Sequence, residues 1–154
     1  MNRYLLIFLF FLLGINPAFT QNELGLSTIT NYHPTDYLAY SQNWYVNQDE
    51  RGVMYFANGD GMLEFDGSYW NLIKLAEEAS TATAIYIDTS ASLIFIGAKS
   101  DFGFVYVDSK GLWKYQSLKI LVKEKIRNFG FITEILNYKD KIIFSSNFEH
   151  FIYD

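Results

Sequence analysis

The sequence contains no cysteine. That absence removes disulfide frameworks, thiol nucleophiles and thiolate metal sites together, and it leaves no residue for a lipoprotein anchor. Histidine is almost as scarce. His33 and His150 are the only two, far apart and outside any H-E-x-x-H spacing. A zinc site draws on three or four ligands, so no metal or other cofactor is expected. Two prolines and no low-complexity run argue against a disordered chain. Positive charge is short as well: 12 Lys and Arg stand against 17 Asp and Glu, for a net charge of −5. Nucleic-acid binding needs basic side chains on the phosphates, so no nucleic-acid partner is expected. No G-x-S-x-G, phosphate loop or G-x-G-x-x-G occurs.

Aromatic residues, in contrast, are abundant: 14 Phe, 12 Tyr and 3 Trp among 154 residues. Flat and branched side chains suit a pleated surface, and the length fits one domain. The first twenty residues form a separate object. Arg3 gives a positive start, Tyr4 to Leu13 is a short apolar core, Asn16-Pro17 breaks it, and Ala18-Phe19-Thr20 places small residues before Gln21. This is the layout of a secretory signal peptide at 1–20, cleaved before Gln21. The competing reading, a membrane anchor, needs about 20 apolar residues. After cleavage no membrane segment is expected, and the product is read as exported, periplasmic or secreted.

The rest of the chain repeats itself. Asn43 to Leu75 reads NWYVNQDERGVMYFANGDGMLEFDGSYWNLIKL, and Thr83 to Leu118 reads TAIYIDTSASLIFIGAKSDFGFVYVDSKGLWKYQSL. Asp49 aligns with Asp88, Phe56 with Phe95, Gly61 with Gly103, Asp66 with Asp108 and Trp70 with Trp113. A drifting period near 40 with four short strand-like runs per unit is the signature of β-propeller blades. The predicted fold is all-β: an incomplete propeller of about two and a half four-stranded antiparallel blades. After an entry segment at 21–42, the blades span 43–75, 83–118 and 130–154. Leu24 to Thr30 is a further candidate strand. Between the second and third blades, Leu118, Leu121, Val122, Ile126 and Phe129 recur at helical spacing, which predicts a short helix over 119–128. Its basic residues either attract an anionic ligand or form a solvated face.

The first blade carries a denser pattern. Gln42-Asn43-Trp44, Gln48-Asp49, Arg51-Gly52, Tyr55-Phe56-Ala57-Asn58, Gly61, Glu64-Phe65-Asp66-Gly67 and Trp70 together resemble the first blade of the two-component-regulator propeller family. Gly25, Ile29, Asn31-Tyr32, Gly97 and Phe102-Gly103-Phe104 fit the same pattern. The resemblance implies the periplasmic sensor region of a large bacterial regulator. In that family a signal peptide precedes tandem propellers, a β-sandwich, one membrane helix and a kinase or DNA-binding output. This sequence holds only the start of such an architecture, so it is read as a fragment. A truncated gene product and one piece of a split gene both fit.

The individual motifs point to turns and packing. Asn58-Gly59-Asp60-Gly61 resembles a calcium loop, but an EF-hand carries an oxygen ligand where Met62 stands. Asp66-Gly67 and Asp108 are turn residues first. Trp70 and Trp113 are read as inter-blade packing rather than sugar platforms. Glu77 and Glu78 are adjacent in a polar connector, whereas glycoside hydrolysis needs carboxylates facing each other across a substrate. No catalytic residue is therefore assigned, and the chain is read as non-catalytic. A truncated exported propeller lyase or glycosidase is the alternative.

The loops between second and third strands are the candidate ligand site: Asn58 and Asp60, Lys99 and Asp101, Asn147 and Glu149. They offer polar side chains to a small polar ligand such as a saccharide. Equally, loops are polar because they are wet. Two and a half blades cannot close a ring, so self-association through open blade faces is also expected. A short secreted protein that assembles copies into a ring is a third reading.

Overall fold

Strands form where the apolar alternation placed them. The computed structural model describes residues 29–76 and 81–154. The leader at 1–20, its cleavage point and most of the Leu24 to Thr30 candidate strand lie outside the described residues. The architecture below belongs to the compact unit Tyr32–Asp154.

After a single helical turn, α1 (Pro34–Tyr37), come eleven strands. Sheet 1 is β1 (Asn43–Gln48), β2 (Met54–Asn58), β3 (Gly61–Phe65) and β4 (Trp70–Ile73). Sheet 2 is β5 (Ala82–Asp88), β6 (Leu93–Ala98), β7 (Asp101–Val107) and β8 (Trp113–Ser117). Sheet 3 is β9 (Ile132–Tyr138), β10 (Lys141–Ser146) and β11 (His150–Tyr153). Each sheet is an antiparallel meander in which neighbours in sequence are neighbours in space. The all-β expectation holds, with sheets of four, four and three strands. In sheet 1, β3 pairs with β4 from Met62↔Ile73 to Phe65↔Trp70, across the Asp66-Gly67 turn.

Register refines the repeat. Asn58 opposes Gly61 in β2–β3, and Ala98 opposes Asp101 in β6–β7. Gly61 therefore corresponds to Asp101, and Gly103, which opposes Ile96, corresponds to Leu63, which opposes Phe56. Aligning the two glycines by identity misplaces the central strands, because β7 is longer than β3 and shifts everything after it. Gly103 has its own reason to be glycine. A Cβ there would run into the Gln116 carbonyl on β8.

All three first strands carry a bulge at the same place, skipping Trp44, Thr83 and Thr133. A bulge sharpens local twist, and these strands converge: β1 lies beside β5, and β5 beside β9. The Thr83 hydroxyl donates to the Ile132 carbonyl at 2.6 Å, bonding sheet 2 to the first strand of sheet 3. Trp44 stacks on Phe131 with centroids 6.5 Å apart.

The sheets stack face to face in chain order. Tyr55, Ala57, Met62 and Ile73 of sheet 1 pack on Ile85, Ile94, Ile96 and Val105 of sheet 2. The other face of sheet 2, with Phe95 and Phe102, packs on Ile135, Ile142 and Phe144 of sheet 3. The leading face of sheet 1 has no preceding sheet. The entry segment covers the β3–β4 side of it: Tyr32 lies 5.2 Å from Phe65 and 5.3 Å from Trp70, and Tyr37 of α1 lies 5.3 Å from Trp70, while Val46, opposite Phe56 on β1, stays exposed. Trp70 thus packs between the entry segment and its own sheet, while Trp113 faces sheet 1 from sheet 2.

The helix expected over 119–128 does not form. Two separate 3₁₀ turns, Lys119–Leu121 and Glu124–Ile126, flank an extended Val122. Leu118, Val122 and Phe129 are buried against sheets 2 and 3, but Ile120 and Leu121 are exposed. The Arg127 guanidinium donates to the Val122 and Ile120 carbonyls, so a side chain supplies what a continuous helix would have supplied from its backbone.

Candidate functional site

The three second-to-third-strand loops sit at one end of the stack, and hydrogen bonds through Thr81 link two of them. The Gly59 carbonyl accepts from the Thr81 hydroxyl, and the Thr81 carbonyl accepts from the Lys99 amide. The Ser100 amide then donates to the Gly130 carbonyl at 2.6 Å, at the entry to sheet 3.

The six candidate residues divide by what their polar atoms already do. Asn58 is fully buried. Its amide nitrogen donates to the Tyr40 carbonyl at 2.6 Å, the Gln42 carbonyl at 3.2 Å and the Asn43 side chain at 2.8 Å, and its oxygen accepts from the Asp60 amide. It holds the entry segment onto sheet 1. Asp101 is buried too, and its carboxylate accepts from the Ser117 hydroxyl at 2.6 Å and from the Phe102 amide. The Tyr115 hydroxyl, also on the sheet 2 side, is buried with no hydrogen-bond partner among the described residues. Burial, reinforced by the Asp101 charge, pushes its pKa up and keeps it protonated. Asp60, Lys99 and Asn147 are exposed and Glu149 is half-buried. The Lys99 ammonium lies 5.9 Å from the centre of the Phe131 ring. Of the six, these four have side chains at the surface.

The opposite end holds a feature the sequence did not single out. A groove of about 750 Å³ runs between sheets 1 and 2, lined by Asp49, Arg51, Tyr55, Glu64, Tyr106 and Trp113 among others. Arg51 pairs with Asp49 at 2.7 Å and donates to the Tyr55 hydroxyl at 3.1 Å. Glu64 accepts from the Trp113 indole at 3.0 Å and from Asn71 at 3.1 Å. Burial, followed by the charges of Asp49 and Glu64, pushes the Tyr55 hydroxyl up to about 12. In sequence these residues read as turn and packing positions. Only the Asp-Glu-Arg-Gly hairpin, with opposite charges two residues apart, hints at a network.

At this end the aspartates share one job. Asp49, Asp66, Asp88 and Asp108 each accept two backbone amides of their own turn through Oδ1. All four are held below the usual carboxylate range. For Asp66 the Tyr69 amide is the main cause, for Asp88 the Ser90 hydroxyl, and for Asp108 the Leu112 amide. At Asp49, burial pushes upward, and the bonds from Arg51 and Val53 outweigh it. A folded pKa below the unfolded value means that the unfolded chain binds more protons in between. This part of the stability is present above about pH 4 and is lost as pH falls further. The melting temperature is therefore expected to be level near neutrality and to drop below about pH 4. A melting temperature that rises on acidification would contradict the role given to these turns.

No known protein family matches the chain. No curated protein matches it either. Among solved structures it is similar to the extracellular domain of a one-component system from B. thetaiotaomicron, at 9% identity and a TM-score of 0.38. The match covers 73% of this chain and 21% of that one, so the chain spans about a fifth of its length. No helix among the described residues is long and apolar enough to cross a membrane, and no group of three or more potential metal-ligating side chains occurs among them.

Proposed function

We propose that the three sheets are consecutive blades of a propeller in the extracytoplasmic sensing region of a bacterial regulator, and that they bind a ligand without transforming it. One observation carries the reading: sheets 2 and 3 each bury their leading face on the trailing face of the sheet before, in chain order. The residues that resemble the two-component-regulator propeller family support it through their roles. Asp49 and Asp66 build turns, Asn58 pins the chain entry, and Phe56, Phe65 and Trp70 pack together. The apolar leader at Tyr4 to Leu13 supports export.

The non-catalytic part rests on charge. A general acid needs a carboxyl pushed up toward the working pH, and Asp49, Asp66, Asp88 and Asp108 are pushed down. The surface we assign to a ligand is the loop end that presents Asp60, Lys99, Asn147 and Glu149, whose hydrogen-bonding groups suit a small polar molecule such as a saccharide.

The test is a thermal-shift and calorimetry screen of the exported chain against neutral and acidic oligosaccharides. A binder at a hundredfold excess over its Kd stabilises by roughly 2.7 kcal/mol, a shift of several degrees. Lys99→Ala and Asn147→Ala are expected to reduce that shift while leaving the unliganded melting temperature unchanged. Cleavage or elimination products appearing in the same incubations would favour a propeller lyase or glycosidase.

A further inference from the structure

The groove between sheets 1 and 2 lies at the end of the stack away from the candidate loops. Both its walls belong to sheets that pack on each other, so it does not depend on what covers the outer faces of sheets 1 and 3. Register explains why it exists. Counted from the second-to-third-strand loop, Tyr55↔Glu64 of sheet 1 holds the place of Phe95↔Phe104 in sheet 2. Those two rings pack toward sheet 3 in one apolar cluster. Between sheets 1 and 2 the same place holds a phenol and a carboxylate. Sheet 2 is also longer. Beyond Val105↔Tyr115, which matches Phe65↔Trp70, it continues with Tyr106↔Lys114 and Val107↔Trp113. The overhang puts Trp113 in the groove wall, where its indole donates to Glu64 at 3.0 Å. The volume of about 750 Å³ falls within the roughly 300–1,000 Å³ of small-molecule sites.

We propose that this groove is a second binding site, for an organic cation: an amine carried on an aromatic or apolar body. Arg51 is the one cation in the lining, and it is already paired. Its partner Asp49, with a side chain 8% exposed, takes both the guanidinium and the Tyr55 hydroxyl on Oδ2. Glu64 has no such counter-charge. Its Oε2 accepts the Trp113 indole and Asn71, and its Oε1 accepts nothing among the described residues. Asp88, on the sheet 2 wall, takes its bonds on Oδ1 and leaves Oδ2 open. An ammonium has donors and no acceptor, so it suits carboxylate oxygens that lack donors. The bond to Glu64 also fixes the Trp113 ring, whose face attracts a cation. Ile87, Ile94 and Val107 line the same space and would bury the ligand's apolar body. An anion would meet repulsion from Glu64 and Asp88, and a neutral analogue would gain nothing from their charge. This inference does not rest on the ligand reading at the loop end.

Calorimetric titration of the exported chain with three indoles of one size tests it: tryptamine, which is cationic, tryptophol, which is neutral, and indole-3-acetate, which is anionic. Tryptamine should bind about tenfold tighter than tryptophol, and indole-3-acetate should bind weakest. Amide shift changes on adding tryptamine should centre on residues 51–55, 64 and 113, and spare Lys99 and Asn147. Glu64→Gln keeps an oxygen for the Trp113 indole and removes the charge. It should weaken tryptamine about tenfold and leave tryptophol unchanged. Circular dichroism would show that it is folded. Asp88→Asn keeps the Oδ1 of its turn, and it should weaken tryptamine in the same selective way should Glu64→Gln fail to fold. Absence of saturable tryptamine binding at millimolar concentration would overturn the proposal. Equal affinity for all three indoles would mark a merely apolar cleft and overturn it too. So would tightest binding of indole-3-acetate, which would give the groove to Arg51 and an anion, or shift changes confined to the loop end.

Discussion

Replacing Phe144 with alanine is expected to cost about 3–5 kcal/mol, the range for removing a large aromatic from a packed core. Phe144 is fully buried, 4.5 Å from Phe102 and 6.0 Å from Phe95 between ring centroids. It sits in the middle strand of sheet 3 and packs on sheet 2 within the same apolar cluster. Its loss leaves a void among rings that are themselves held edge to face or stacked, as Phe102 is on Phe151 at 4.8 Å. The stack gains its stability from neighbouring interfaces, so the damage should be local before it is global. Hydrogen exchange should report sheet 3 opening at a lower free energy than sheet 1. Equal loss of protection in all three sheets would show that the array unfolds as one cooperative body.

Asn58→Ala is expected to cost on the order of 2–4 kcal/mol, because it removes an amide whose two N–H groups are shared among three acceptors and whose oxygen accepts one bond, in a site closed to water. The bonds run from β2 to Tyr40, Gln42 and Asn43. The first effect should therefore be release of the entry segment, with faster exchange at the amides of residues 40–43. The outcome also separates two readings of one residue. A ligand-contacting surface asparagine changes stability by about 0.5 kcal/mol or less on truncation. A melting temperature close to that of the unaltered chain would return Asn58 to the ligand side.

How much of this was legible follows from range. The strands and their order could be read because alternation and turn chemistry are local: Asp66 and Asp108 bond amides two to four residues on. The repetition of the antiparallel sheets was legible for the same reason. Asn58 was not, since its partners lie 15 to 18 residues back, in a segment without periodicity. The covering of Trp70 by Tyr32 and Tyr37 was equally hidden. Over 119–128 the spacing of buried residues does approximate a helix, and the Arg127 side chain that satisfies the Ile120 and Val122 carbonyls is not encoded by any pattern of apolar positions. Of the candidate ligand residues, type alone could not tell that Asn58 and Asp101 are internally engaged while Asp60, Lys99 and Asn147 reach solvent.

The covered face of sheet 1 has a consequence for how the protein is made. Its cover precedes it in the chain, so a polypeptide emerging from its N-terminus delivers Tyr32 and Tyr37 before the surface that Trp70 and Phe65 build. Each later sheet then meets a neighbour already in place. At every stage of synthesis the largest apolar surface still waiting for a partner is the face of the most recently completed sheet. Assembly thus has a direction, and exposure to wrong partners grows little as sheets are added.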